Sequence, residues 1–480
     1  MNLKKLQRVS LLAVCLLGLC LITIAARGEL TFTTLVSFTG TGGAYPGATP
    51  YCGLVVGADG NLYGTTSAGG TNKLGTVFQL TLDGTFTSLF SFNGTNGSDP
   101  AAALTPAGNG IFYGTTFAGG VSNWGTIFLI TTNGAFTNLF SFTGTNNPYQ
   151  GAAPAAALAL DGAGNLFGTA AYGGTTNAVS VGGNVQGYGY GTVFELVSND
   201  AVTVPIVFAG TNGAHPSGGL VLAKDGNFYG TTTWGGQGAT ANFPGFGTIF
   251  RMSPDGTFTN IYKFSGGSDG SFIYAGLAQG QDGDLYGAAF ANSSPGYGTL
   301  FKISTNGDFA LLHTFSSSDS GSPYGGLVEG SDGNFYGTTY GAYIGYGSVF
   351  QLKPDGTYTN LVFFNSANGS HPEGVLVQGP DNNFYGTTSA GGANGLGTIF
   401  RLSVPLPPVI KTIALTNGVV TFTWSAVVGQ TYQPLYSTNL AQDDWSPLIK
   451  SFVAPNGVMT TTDANAIGSG PRFYTVVLLP

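Results

Sequence analysis

Charge is scarce in this sequence. Only 8% of its 480 residues are Asp, Glu, Lys or Arg, about a third of the usual share. The 14 Lys and Arg against 22 Asp and Glu leave a net charge of −8. A chain so poor in cations lacks the basic footprint that a phosphate backbone requires, which excludes nucleic acid as a partner. Cysteine is scarcer still. Two of the three, Cys15 and Cys20, lie in an apolar N-terminal run, so Cys52 stands alone and no intrachain disulfide is expected beyond that run. The three histidines, His215, His313 and His371, fall into no His-x-x-x-His pattern, and there is neither a cysteine pair nor an Asp-x-Asp-x-Asp-Gly loop. No metal and no other cofactor is therefore expected. Long helices are excluded as well, because they need a polar face and few glycines, whereas Gly is 80 of the 480 residues here.

What is present points to short strands and tight turns. Aromatic residues at 13% supply a core, so the glycine does not signal disorder. Lys4, Lys5 and Arg8 precede an apolar run from Leu11 to Ala26, and Ala26 or Gly28 fits a cleavage site. The segment 1–28 thus reads as a secretory signal, too short for a span, which places the chain outside the cell or on its surface. No membrane span is expected after cleavage, and the protein is expected to be monomeric.

From about residue 30 the chain repeats itself with a period of about fifty residues. Tyr-Gly-Thr-Thr or a close variant begins at Tyr63, Tyr113, Phe167, Tyr229, Tyr286, Tyr336 and Tyr385. Gly-Thr-Val/Ile-Phe or a variant follows at Gly75, Gly125, Gly191, Gly247, Gly298, Gly347 and Gly397. In the first unit four runs read as strands A to D: Gly53 to Val56, Asn61 to Thr66, Gly75 to Leu80 and Thr85 to Phe92. Asp59-Gly60 and Asp83-Gly84 supply the tight A–B and C–D turns. Four antiparallel strands per unit is the size of a propeller blade. The seventh unit lacks a D strand, and a spare one, Thr31 to Phe38, precedes the first unit. The expected fold is all-β: a seven-bladed propeller over 29–402 closed by its N-terminal outer strand. A Pro-rich linker, 403–409, follows. Alternating strands with aromatics at Thr421-Phe-Thr-Trp424, Thr431 to Ser437, Trp445 and Arg472 to Leu478 then suggest a fibronectin- or immunoglobulin-like sandwich over 410–480.

Asp332 to Thr339 (Asp-Gly-Asn-Phe-Tyr-Gly-Thr-Thr), Ser389-Ala-Gly-Gly392 and Gly397-Thr-Ile-Phe400 resemble the bacterial tandem-repeat group called GloVer, described as choice-of-anchor proteins. The resemblance covers about residues 30 to 402. It implies export and surface display, and brings no established activity with it. The sorting anchor usual in that family is not visible in this sequence.

A search for catalytic groups finds little. Ten of the carboxylates sit in tight turns: Asp59, Asp161, Asp225, Asp282, Asp332 and Asp381 between strands A and B, and Asp83, Asp200, Asp255 and Asp355 between C and D. Of the scattered remainder, which includes Asp99 and Glu373, only Glu329 falls on an innermost strand, where it could face a central channel. His215-Pro216 and His371-Pro372 occupy the same repeat slot as Asp99-Pro100 and, in this reading, Tyr45-Pro46. The long B–C and D–A links emerge on one face and carry aromatics among uncharged polar residues, which suits sugar rings or extended peptides. Trp124, Tyr188, Tyr190, Trp234, Phe243, Tyr297, Tyr343 and Tyr346 are the candidate ligand-binding residues. Trp124, Tyr190, Tyr297 and Tyr346, just before each C strand, equally suit plugs at blade junctions. The sequence therefore reads as an exported, non-enzymatic binding or display protein for a glycan or protein ligand, with a polysaccharide lyase or glycosidase, or a structural adhesive protein, as alternatives.

Overall fold

A computed structural model describes residues 20–21, 30–144, 151–174, 179–181, 184–186, 189–197, 201–240, 244–293, 296–341, 345–404, 408, 410–426, 430–439, 445–466 and 472–479. Among them the protein is all-β, its one helical segment being the 3-10 turn Ser317–Asp319. Contacts divide the chain into two units: one of Phe32–Gly379 with Phe384–Arg401, the other of Met1–Thr31, Pro380–Asn383 and Leu402–Pro480.

The larger unit is built on seven four-stranded sheets. In the first, strands A to D are Val55–Val56, Leu62–Thr66, Thr76–Leu80 and Phe86–Ser91, antiparallel throughout. Strand B is buried along its whole length, so it has packing partners on both faces. The two repeated motifs explain each other. Gly64 of Tyr-Gly-Thr-Thr pairs with Phe78 of Gly-Thr-Val-Phe, and a Cβ at Gly64 would lie 2.6 Å from the Phe78 ring. Glycine is required there because the phenylalanine lies across it. Between sheets, apolar side chains interlock: Tyr63 and Val77 of the first pack with Leu104, Phe112, Phe128 and Ile130 of the second. The seventh sheet has Thr398–Ser403 as strand C, and its fourth strand is Thr31–Ser37 from the N-terminus. Phe38 N–H extends the pairing by donating to the Gly397 carbonyl at 3.1 Å.

Each threonine of Tyr-Gly-Thr-Thr has its own task. The first reaches out to the next sheet: Thr65 Oγ1 donates to the carbonyls of Pro100 and Ala102, Thr169 to Gly218, Thr231 to Ala275, and Thr387 of the seventh sheet to Cys52 of the first at 2.8 Å. The second ties strands B and C of its own sheet, as in Thr66–Thr76, Thr116–Thr126, Thr232–Thr248 and Thr388–Thr398, all 2.8 Å between hydroxyls. The tyrosine also does more than pack. Tyr63, Tyr229, Tyr286 and Tyr336 donate to the turn carboxylates of Asp59, Asp225, Asp282 and Asp332 at 2.7–2.8 Å.

The C-terminal residues form two sheets around one core. Ile410–Thr416, Val419–Ser425 and Val458–Asp463 make the first, and Thr431–Ser437 with Phe473–Leu479 is the centre of the second. Phe422 and Trp424 from one sheet meet Tyr432, Tyr474, Val476 and Leu478 from the other. Buried Asp463 is paired with Arg472 at 2.6 Å and accepts a hydrogen bond from Tyr474 at 2.9 Å, which satisfies the charge inside this unit.

Candidate functional site

One backbone device sets the site. In all seven repeats the D–A link passes through a residue with left-handed backbone: Thr49, Asp99, Ala153, His215, Phe272, Ser322 and His371, with φ between 54° and 59°. None is glycine, so each carries strain that its surroundings must offset. They do so with two hydrogen bonds. The N–H donates to the carbonyl just before a C strand, that of Leu396, Leu74, Trp124, Tyr190, Phe246, Tyr297 and Tyr346 in turn, at 2.6–3.1 Å. The carbonyl accepts from the residue after the four-residue B motif, namely Ser67, Phe117, Ala171, Thr233, Phe290, Tyr340 and Ser389. In the first unit the slot belongs to Thr49-Pro50. The expected equivalence with Tyr45-Pro46 is corrected by these bonds, because Tyr45 N–H goes to the Thr39 hydroxyl instead.

Two residues beyond each slot stands Tyr51, Ala101, Ala155, Ser217, Tyr274, Tyr324 or Glu373. The aromatic residues at these positions, with those that follow strand B, make up the rings of an aromatic arc in two runs. On one side Tyr274 stacks on Tyr324 at 4.6 Å, Phe290 meets both edge-on, Tyr324 lies 6.0 Å from Tyr340, and Tyr340 lies 4.7 Å from His371. On the other, Phe117, Tyr172, His215 and Trp234 follow one another at 6.4, 5.0 and 4.5 Å. His215 Nδ1 is 2.9 Å from the Ser217 hydroxyl, and burial between Tyr172 and Trp234 pushes its pKa down to about 4.

The electrostatics single out Glu373. Burial pushes its carboxyl up to about 7, against the opposing effect of the Ser389 hydroxyl. Its charge raises the pKa of Tyr51, Tyr324 and Tyr340, after burial the leading cause for each. Asp99 acts on Tyr51 from its other neighbour, and burial raises its own pKa. Among the described residues neither carboxylate has a Lys, Arg or His ion-pair partner. No group of three or more His, Cys, Asp or Glu among them is placed to hold a metal.

Of the aromatics expected to bind ligand, Trp234 joins this arc. Trp124, Tyr190 and Tyr297 lie half-buried against the cores between sheets, and their carbonyls hold the left-handed slots. Tyr346 does the same with its carbonyl and leaves its ring 46% exposed. Tyr188, Phe243 and Tyr343, with Tyr149, lie outside the described residues. Glu329 sits on a two-residue A strand, Val328–Glu329, and accepts from Gln281 N–H at 3.3 Å. Tyr51, Tyr274, Tyr324, Tyr340 and Glu373 were missed as site residues. The signal for three of them, Tyr51, Tyr324 and Glu373, was the repeated x-Pro-x slot, whose last residue occupies the arc; Tyr274 ends the same slot after Ile273.

A family model described as Gloeobacter/Verrucomicrobia repeat matches residues 21–182, 179–343 and 244–444. No curated protein matches the chain. Among solved structures, a luciferin-regenerating enzyme is similar at 12% identity and TM-score 0.40, over 78% of this chain and 95% of the other. A gluconolactonase from Xanthomonas campestris is similar at 13% and 0.38, over 79% and 91%. A family PL25 ulvan lyase bound to its sulfated saccharide is similar at 8% and 0.44, over 75% and 94%.

Proposed function

The chain belongs to the Gloeobacter/Verrucomicrobia repeat family, and from that premise we propose that it is an exported, non-enzymatic binding protein that takes a glycan on the aromatic arc of its repeat unit. The observation that carries this reading is the arc itself. Flat rings at Tyr51, Tyr274, Tyr324, Tyr340 and Trp234 are set by rigid backbone slots, and Tyr51 is 38% exposed. Rings that are held in place pay little ordering entropy when a sugar face lies on them. The apolar leader supports export.

A glycan array with the secreted protein, followed by calorimetry on a positive, tests the proposal. Tyr51→Ala and Trp234→Ala are each expected to weaken binding by about 1–2 kcal/mol, as exposed or half-exposed aromatic anchors do, with thermal midpoints close to that of the parent. Unchanged affinity in both variants would remove the arc from the site, and a Trp234→Ala protein that unfolds several kcal/mol more easily would reassign that ring to the core.

A further inference from the structure

Glu373 is a half-buried carboxylate that has no Lys, Arg or His ion-pair partner among the described residues. A buried charge is ordinarily paired, or gathers several hydrogen-bond donors. Here the one polar side chain that opposes its desolvation is Ser389, whose hydroxyl also donates to the His371 carbonyl at 2.8 Å. The backbone at Glu373 and Gly374 packs against Gly325, beside Tyr324, and against Cys52 and Gly53, beside Tyr51: a Cβ at Gly325 would lie 2.9 Å from the Glu373 carbonyl and one at Gly374 2.5 Å from the Cys52 carbonyl carbon. Tyr324 lies 6.0 Å from Tyr340 and stacks on Tyr274, so rings of the first, fifth and sixth repeats gather at the seventh repeat's Glu373, whose charge raises the pKa of Tyr51, Tyr324 and Tyr340. Asp99 adds a second carboxylate beside Tyr51. A ring face carries negative potential, so tyrosines around a carboxylate make a place that repels anions and attracts a compact organic cation. The chain itself supplies few such cations, with 14 Lys and Arg in all.

We propose that this cage takes the ammonium group of an amino sugar, the carboxylate of Glu373 pairing with it while Tyr324 and Tyr340 flank it. The inference rests on the glycan reading above and narrows it to one class, glycans with a free amino group. Burial has already brought the carboxyl close to neutrality, so an arriving ammonium group finds an acid that ionises readily. The cation then removes the cost of burying that charge.

Oligomers of glucosamine, N-acetylglucosamine and glucose, all β-1,4-linked and of one length, differ at carbon 2 alone: ammonium, acetamide or hydroxyl. Calorimetry at pH 7 is expected to give about tenfold tighter binding of the glucosamine oligomer by the parent protein, the size of one charged hydrogen bond. Glu373→Gln should abolish that preference and leave the two neutral oligomers unchanged, while Asp83→Asn, at an exposed turn, should leave all three unchanged. Equal binding of the three by the parent, or an equal loss in both variants, overturns the amino-sugar assignment and leaves the glycan reading standing. Binding of none of them by the parent overturns both.

Discussion

A carboxyl that burial holds at about 7 instead of near 4.5 weakens the fold over a definable pH range. The unfolded chain releases that proton first, so stability falls as pH rises from about 4.5 to 7 and stays lower above it. At 1.36 kcal/mol per unit the full loss is about 3 kcal/mol. Glu373→Gln keeps the shape and removes the titration. It is expected to raise the thermal midpoint at pH 8 and to give no advantage at pH 5. Thermal scans of both proteins at the two pH values check this, and an advantage of the same size at each pH would show that the carboxyl is not strained by burial. A site that destabilises its own fold until a ligand arrives is a common trade between stability and function.

At the scale of the strand, the Tyr-Gly-Thr-Thr motif makes a quantitative contrast possible between positions that look identical in sequence. Thr387 Oγ1 donates to the Cys52 carbonyl at 2.8 Å, whereas the hydroxyl of Thr338, at the same repeat position, is buried without a partner. Replacing Thr387 with Val should cost about 1–2 kcal/mol, and the same change at Thr338 should be neutral or stabilising, because an unpaired buried hydroxyl is already a loss. Chemical denaturation of the two variants decides it, and equal effects would refute the assigned role. The fifth sheet, where Ala288 fills this position, shows that the bond is dispensable one sheet at a time.

The strands were legible because Asp-Gly turns and apolar runs are local signals. Strand B was expected at Asn61 to Thr66 and lies at Leu62–Thr66. The division of labour between the two threonines was not legible, since their partners lie in another strand or another sheet. The site was legible in part. Loop length pointed to the aromatic-bearing links, and Trp234 was read from it. Tyr51, Tyr324 and Glu373 were hidden because the x-Pro-x pattern of their slot does not show that its first residue is left-handed, no glycine standing there, and so does not show where its last residue is placed. Tyr45-Pro46 was mistaken for that slot because a proline fixes its own φ and says nothing of the residue two hydrogen bonds away.

For the repeat unit as a whole, the decisive element is the strand borrowed from the N-terminus. Without Thr31–Ser37 the Thr398–Ser403 strand would become an open edge, exposing a row of backbone donors and acceptors. The segment also brings Val36 and Phe38, both fully buried among Leu54, Phe78 and Ile399, and Phe32, which stacks on Phe400 at 5.3 Å. The remaining links from the seventh sheet to the first include single hydrogen bonds such as Thr49 N–H to the Leu396 carbonyl and Thr387 to Cys52. Burying two side chains of this kind stabilises by about 2–3 kcal/mol each, more than those bonds replace. Deleting 31–38 is therefore expected to lower stability by several kcal/mol and to promote association through the exposed edge. A synthetic peptide of the same eight residues should reverse that association by adding the missing strand. Size-exclusion profiles and thermal midpoints of the deletion, with and without peptide, measure both effects. A deletion with the parent's elution profile and an unchanged midpoint would mean that the other sheets hold the seventh in place without it.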